Sequence, residues 1–139
     1  MSQADDYQLD TQIGYILRRV TQRHIALFAQ MIPDVTTTQF AVLARLYQHG
    51  PLSQNQLGRA VALDAATIKG VVDRLLTGGL VQTEADLTDR RRLTVSLSDA
   101  GATLFQRIAA DGLRVSNRTL DPLSRTEGAQ LLALLTRLI

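Results

Sequence analysis

The apolar residues of the stretch 64–97 follow first a helical and then a strand period. In its first part, apolar side chains recur at the spacing of one helix face, and these are Ile68, Val71, Val72, Leu75 and Leu76. Asp64 precedes them and is a suitable N-cap, because its carboxylate can accept from the free amides of the first turn. Gly78-Gly79 supplies the residues that end the helix. The pattern predicts one helix with a buried face.

Two short segments of alternating polarity follow this helix. They lie at 80–84 and 93–97, and in the second Leu93, Val95 and Leu97 share one side. Such alternation is typical of half-buried strands. The loop between them contains the arginines at 90–92. We therefore predict a two-stranded ribbon with a basic tip.

The other face of the predicted helix carries no bulky apolar side chain. It presents Ala65, Ala66, Lys69, Gly70 and Asp73. A glycine inside a helix costs about 1 kcal/mol relative to alanine. A face kept flat at that cost indicates that something large approaches it closely. The alternative is an ordinary solvated face with an incidental glycine.

Apolar periodicity predicts five further helices, at 10–31, 37–48, 53–61, 98–118 and 124–139. Three capping boxes, at Thr36, Ser53 and Ser124, mark helix starts. A short helix, a brief connection and the helix with the bare face form a helix-turn-helix pattern. Followed by a basic ribbon, it is the winged variant.

Both ends of the chain carry a large amount of apolar surface. A heptad-like seam runs along the first long helix through Ile13, Leu17, Val20, His24, Leu27 and Met31. The last helix is apolar nearly all round and must be buried on more than one side. We therefore predict a homodimer held by these helices. The alternative is that the last helix wraps the domain's own core.

Composition narrows the class of protein. The 139 residues suffice for one domain with a sizeable core, and the absence of cysteine excludes disulfides and thiolate metal sites. No nucleophile–base pair, phosphate loop or metal-ligand spacing is visible, so we expect neither an enzyme nor a bound metal or cofactor. The acidic, polar start is unlike a signal peptide, and no apolar run reaches the ~18 residues of a membrane span. A cytoplasmic protein is expected.

The net charge of +2 is small. The predicted helix at 64–77 and the loop at 84–92 are each neutral overall. Binding to nucleic acid would then depend on individually placed arginines rather than on bulk charge.

Three stretches of the sequence resemble the multiple antibiotic resistance regulator (MarR) family: VVDRLLTGGLV at 71–81, DRR at 89–91 and VSLSDAG at 95–101. The resemblance implies a mainly α, winged helix-turn-helix fold in the order α-α-β-α-α-β-β-α-α over residues 1–139. It implies a DNA-binding part at 36–97 and dimerisation helices at 7–35 and 98–139. Many members have Ser-x-Thr-Arg where this chain has Ala65–Gly70, so the base contacts cannot be transferred from them.

The resemblance implies a sequence-specific transcriptional regulator, a repressor, that binds a near-palindromic operator as a homodimer. A recognition helix fits the major groove, where every base pair is distinguishable, and a wing arginine enters the minor groove. Asp89 or Asp73 is expected to orient that arginine, Arg91. The expected DNA-contacting residues are Ala65, Ala66, Thr67, Lys69, Gly70, Arg74, Arg90 and Arg91. The alternatives are a solvated turn tip for the arginines and, for the whole chain, a winged helix that binds proteins.

His24 raises the question of what controls DNA binding. It lies within an apolar seam and must bond to something, and Arg19 and Arg23 lie together on one flank. With Phe28, these residues are a candidate site for a small aromatic carboxylate between the predicted helices at 10–31, 37–48 and 98–118. The stretches at 21–43 and 64–75 also resemble the branch of the family that responds to hydroxybenzoate- or nicotinate-type acids. The alternatives are a histidine bonded to a carbonyl or to a partner subunit, and a DNA-binding protein without a ligand.

Overall fold

The computed structural model describes residues 2–139. The described chain forms seven α-helices and three strands: α1 Gln3–Asp6, α2 Ile13–Met31, α3 Thr37–His49, β1 Leu52–Ser53, α4 Gln54–Ala60, α5 Ala65–Thr77, β2 Val81–Ala85, β3 Leu93–Leu97, α6 Asp99–Leu120 and α7 Arg125–Thr136. This order confirms the predicted mainly helical fold with a small antiparallel sheet. The sequence patterns did not predict α1 or the 3-10 turn at Leu9–Thr11, which shortens the start of the first long helix.

The chain divides into two compact units. One is Ile32–Ala110, and the other combines the residues up to Met31 with Asp111–Ile139. We call them the winged unit and the terminal-helix unit. The boundary falls within α6, some 13 residues beyond the predicted end of the DNA-binding part at Leu97.

Side-chain caps fix the helix starts in the winged unit. The Thr36 and Ser53 hydroxyls accept from backbone amides three residues on, and Asp64 does the same through its carboxylate. These contacts satisfy amides that have no partner inside the helix. Each helix therefore begins where the sequence predicted.

The core of the winged unit consists of buried apolar side chains. Ile68, Val71, Val72 and Leu75 of α5 are buried, as predicted. The prediction for Leu76 is wrong, since its side chain is exposed. At 100° per residue Leu76 lies roughly 80° from Ile68 around the helix, at the outer edge of the apolar stripe.

The sheet is antiparallel with the strand order β1-β3-β2. Leu52 pairs with Val95 on one side of β3, and Val81 pairs with Leu97 on the other. β3 has the predicted bounds, and β2 is displaced by one residue toward the C-terminus. The β2–β3 hairpin is the predicted wing.

In the terminal-helix unit, apolar side chains remain exposed in the single chain. Ile13, Leu17 and Val20 of the predicted seam are 39–58% exposed, and Leu134 of α7 is 57% exposed. Helix α7 ends at Thr136 rather than at the chain end. Within residues 2–139, no helix combines the length and apolar character needed to cross a membrane.

Candidate nucleic-acid interface and ligand cavity

The outward face of α5 is exposed and bare. Ala65, Ala66, Thr67 and Lys69 are exposed, and Gly70 is half-buried. A methyl group added at Gly70 would meet no other described atom within 4 Å. The opposite face of the same helix forms the core, so α5 is held rigidly while its polar side remains accessible.

The first turn of α5 is fixed by Asp64. The backbone amide of Thr67 donates to Asp64 Oδ1 at 2.7 Å. The Thr67 hydroxyl also bonds to this carboxylate, and together these bonds hold the pKa of Asp64 below its ordinary value. Thr67, predicted to contact DNA, is thus also part of the cap.

Further along α5, Lys69 Nζ and Asp73 Oδ2 form an exposed ion pair at 3.0 Å. Asp73 therefore pairs within its own helix, and the predicted role of orienting a wing arginine does not match this geometry. The next residue, Arg74, is exposed. Its guanidinium has no hydrogen-bond or ion-pair partner among the described residues.

Two aspartates order the tip of the wing. Asp86 Oδ1 accepts from the backbone amide and the hydroxyl of Thr88, at 2.8 and 2.7 Å. These bonds lower the pKa of Asp86. Asp86 was not among the residues predicted to order the wing, although an aspartate two residues before a threonine is a known turn signal.

Asp89 is the aspartate that contacts a wing arginine. Its Oδ1 accepts from the Arg91 backbone amide at 3.1 Å and lies 3.5 Å from Arg91 Nε. The Arg91 side chain is otherwise free, with 95% of its surface exposed. Arg90 beside it is also exposed. The turn thus presents guanidinium groups on a backbone that is already ordered.

The terminal-helix unit contains a separate, partly open cavity of about 530 Å³. Its walls come from α2, α6, α7 and the connection between the last two, and they are mostly apolar. Val20, Leu120, Leu131 and Leu135 supply much of that surface. His24 and Arg23 are the cavity's basic side chains.

Two successive hydrogen bonds determine which ring nitrogen of His24 carries a proton. The Thr119 hydroxyl donates to the Val115 carbonyl at 2.8 Å, so its oxygen is left to accept. His24 Nδ1 lies 2.9 Å from that oxygen and must therefore carry the proton. In the neutral ring, Nε2 is then an acceptor. The bond that His24 requires is supplied by a hydroxyl of the same chain.

Arg23 is bound to the end of α6. Its guanidinium donates to the backbone carbonyls of Thr119 and Arg118. Last-turn carbonyls have no partner within a helix, so Arg23 acts as a C-cap from another element. Two of its five N–H groups are used in this way.

The other residues predicted for the ligand site lie outside the lining of this cavity. The Arg19 guanidinium carbon is 6.0 Å from the centre of the Tyr15 ring. Phe28 is buried, with its ring 6.4 Å from that of His24. The second predicted helix, α3, contributes no lining residue, whereas α7, which was not predicted to take part, contributes three.

An exposed recognition-type helix beside an arginine-bearing hairpin defines a winged helix-turn-helix protein, a class of DNA-binding regulator. The MarR family model matches residues 35–93. The chain belongs to the MarR family of transcriptional regulators.

Comparisons along the whole chain agree with this. The HTH-type transcriptional repressor NicR of Pseudomonas putida is 38% identical over 135 residues, covering 96% of this chain and 85% of that protein. A probable transcriptional regulator from Pseudomonas aeruginosa has a crystal structure with a TM-score of 0.90 and 51% identity, covering 95% of this chain and 100% of that one. BpsR of Bordetella bronchiseptica, whose DNA binding is regulated by 6-hydroxynicotinic acid, has a TM-score of 0.89 and 34% identity, covering 95% and 96%.

Proposed function

We propose that this protein is a homodimeric repressor that binds a near-palindromic operator and is released from it by a small aromatic acid. The observation that carries the DNA-binding part is α5, which is buried on one face and bare and exposed on the other. NicR is named as a repressor, and BpsR is a DNA-binding protein, so the class of activity agrees with relatives along the whole chain.

The exposed face of α5 suits the major groove. Ala65 and Ala66 bring methyl groups and no bulk, which allows contact with thymine methyls, and Lys69 can donate to guanine. To do so, Lys69 must exchange its exposed pair with Asp73 for a base, and exposed pairs of this kind contribute little to stability. We assign Thr67, Gly70 and Arg74 to the same contact surface.

The wing supplies the second contact. Arg91 is held by Asp89 at the backbone while its side chain extends into solvent, and the negative potential of a narrow minor groove attracts such a guanidinium. Arg90 lies beside it. Two copies related by a two-fold axis then place two recognition helices on half-sites about one helical turn apart.

Selection of bound duplexes from a random library identifies the operator. With that duplex in a shift assay, Arg91→Ala is expected to weaken binding while leaving the thermal unfolding midpoint unchanged. Arg114→Ala, which removes an exposed arginine paired with Asp111 in the terminal-helix unit, is the control. Indifference to every duplex, with weak salt dependence of any residual binding, would indicate a protein-binding winged helix instead.

The aromatic-acid part rests on the cavity in the terminal-helix unit. Its leucine-rich walls suit a ring, His24 Nε2 can accept from a hydroxyl or ring N–H, and Arg23 can pair with a carboxylate. BpsR responds to an acid of this shape. Arg19 and Phe28 do not line the cavity, so they would not contact the acid directly and would affect its binding only through the residues that do.

A thermal-shift and fluorescence screen of hydroxybenzoates and hydroxynicotinates tests this part. We expect an acid to raise the unfolding midpoint and to release the operator, and His24→Ala to abolish both effects. An equal response from wild type and His24→Ala would place the acid elsewhere. No response from wild type would favour a regulator that acts without a ligand.

A further inference from the structure

A polar cleft of about 520 Å³ separates α4 from the wing. It is lined by Ser53, Asn55, Arg59, Asp89, Arg91 and Arg92. A smaller cleft beside it shares Asn55, Arg91 and Arg92. The recognition-helix and wing-tip contacts proposed above use neither Arg59 nor Arg92.

The charges of this cleft are unbalanced. Three guanidinium groups face one carboxylate, and that carboxylate, Asp89, is engaged by Arg91. Arg59 and Arg92 make no side-chain hydrogen bond or ion pair with any residue of the described chain. The Arg92 backbone carbonyl accepts from the Asp86 amide at 2.9 Å, and the charge of the Arg92 side chain contributes weakly to the lowered pKa of that aspartate.

We propose that this cleft binds a backbone phosphate of the operator, with Arg59 and Arg92 as the charged ligands and the Asn55 amide as a third donor. The inference rests on the proposed function, since the phosphate belongs to the same duplex that α5 and the wing contact. Arginine presents paired N–H groups that match phosphate oxygens. One ligand, Arg59, comes from the helix preceding the recognition helix, and the other, Arg92, comes from the tip loop of the wing, next to the start of β3.

A phosphate at this place would fix the wing relative to the helix-turn-helix. Contacts to phosphate carry no sequence information, but they set the register and orientation of a protein on its duplex. We therefore assign Arg59 and Arg92 to affinity and positioning, and α5 to the choice of bases.

The test is the salt dependence of operator binding for Arg59→Gln and Arg92→Gln, with Arg45→Gln as the matched control. Arg45 is an exposed arginine of the same unit whose guanidinium donates to the Ala60 carbonyl and to Gln48. Each cleft variant is expected to reduce the slope of log K against log salt by up to about 0.9 per protomer, the value for one phosphate, or up to about 1.8 for a homodimer. The selected consensus sequence should not change, and the control should keep the wild-type slope.

Neutral methylphosphonates, placed one at a time along the operator, locate the contact. One position per half-site should weaken wild-type binding and leave Arg92→Gln almost unaffected. Wild-type slopes in both cleft variants, with normal binding by wild type, would overturn the cleft and leave the proposed function intact. A changed consensus would assign these arginines to base recognition and would also overturn it. Failure of wild type to bind any duplex would reject both proposals.

Discussion

Gly70 lies on the exposed face of α5, and the fold does not require a glycine there. The space beyond its Cα is open in the described chain, and its backbone is ordinary helix. The same residue weakens the helix, because glycine loses more backbone freedom on folding than alanine does. A partner that approaches the backbone closely would explain why a small residue occupies this position.

Gly70→Ala should therefore have opposite effects on folding and on DNA binding. We expect the free energy of unfolding to rise by about 1 kcal/mol from helix propensity. Operator affinity should fall by about 1–3 kcal/mol, the scale of one lost base contact. Chemical denaturation and a shift assay measure the two effects. A variant that is more stable and binds as well as wild type would contradict the assignment of this face.

Gly101 in the first turn of α6 is required for a different reason. A Cβ at this position would lie 1.9 Å from the backbone carbonyl oxygen of Leu80. That oxygen also accepts from the Ser98 amide at 3.1 Å, so neither group can move freely.

Gly101→Ala is expected to destabilise the chain by about 1–3 kcal/mol or more, as overpacking does. Gly70→Ala is the matched control, since it adds the same methyl group to a helix with open space. Denaturant midpoints compare the two, and equal stability of both variants would contradict the contact at Leu80.

At the scale of elements, the sequence predicted a brief connection between α4 and α5 but not its backbone conformation. Ala62 has a φ of +58°, and the Leu63 amide reaches back to the Gly58 carbonyl at 2.8 Å. This is the geometry in which glycine is usual. Because the sequence has alanine rather than glycine at position 62, no local signal predicts the left-handed conformation of this residue.

The start of α5 provides a pH-dependent element. Hydrogen bonds from Thr67 hold the pKa of Asp64 below its ordinary value of 3.8. A lowered folded pKa means that the cap contributes stability above that value and loses it as the pH falls through the folded pKa. Protonation would remove the charge that the first-turn amides stabilise.

Asp64→Asn should flatten the acid side of the stability profile. Asparagine still caps a helix but does not titrate. Denaturant midpoints from about pH 6 down to about pH 3, at fixed protein concentration, should converge for wild type and variant as acid increases. Parallel profiles would show that Asp64 does not titrate with folding.

Local signals predicted most of the helix starts and β3, because a cap or a strand is defined by residues close in sequence. The surroundings of His24 were not predictable in this way. Its partner Thr119 is 95 residues away in the sequence. Arg23 caps the end of α6 at Arg118, which is also 95 residues away. The sequence indicated that His24 needs a partner, but only the packing of α2 beside α6 identifies it.

At the scale of the whole molecule, the apolar surface of α2 and α7 requires a second chain. Leu134 is 57% exposed, and neighbouring leucines of α7 are exposed with it. A homodimer that covers these side chains is the arrangement we propose. DNA binding should then depend on the dimer, since two half-sites need two recognition helices.

Leu134→Glu should shift the monomer–dimer equilibrium toward monomer by at least about tenfold, since a buried, unpaired carboxylate costs more than 1.4 kcal/mol. Sedimentation velocity over a dilution series measures this shift. Gln130→Glu places the same charge on a polar, exposed position of α7 and is the control. A Leu134→Glu protein that remains dimeric and binds the operator as wild type does would exclude this face from the interface.

Interference by guanine N7 methylation on the selected operator tests the central claim most directly, because N7 lies in the major groove where α5 is proposed to bind. We expect interference in two symmetric half-sites centred about 10 base pairs apart, both bound by one dimer. Interference at a single site, or binding that ignores N7 methylation throughout, would contradict it.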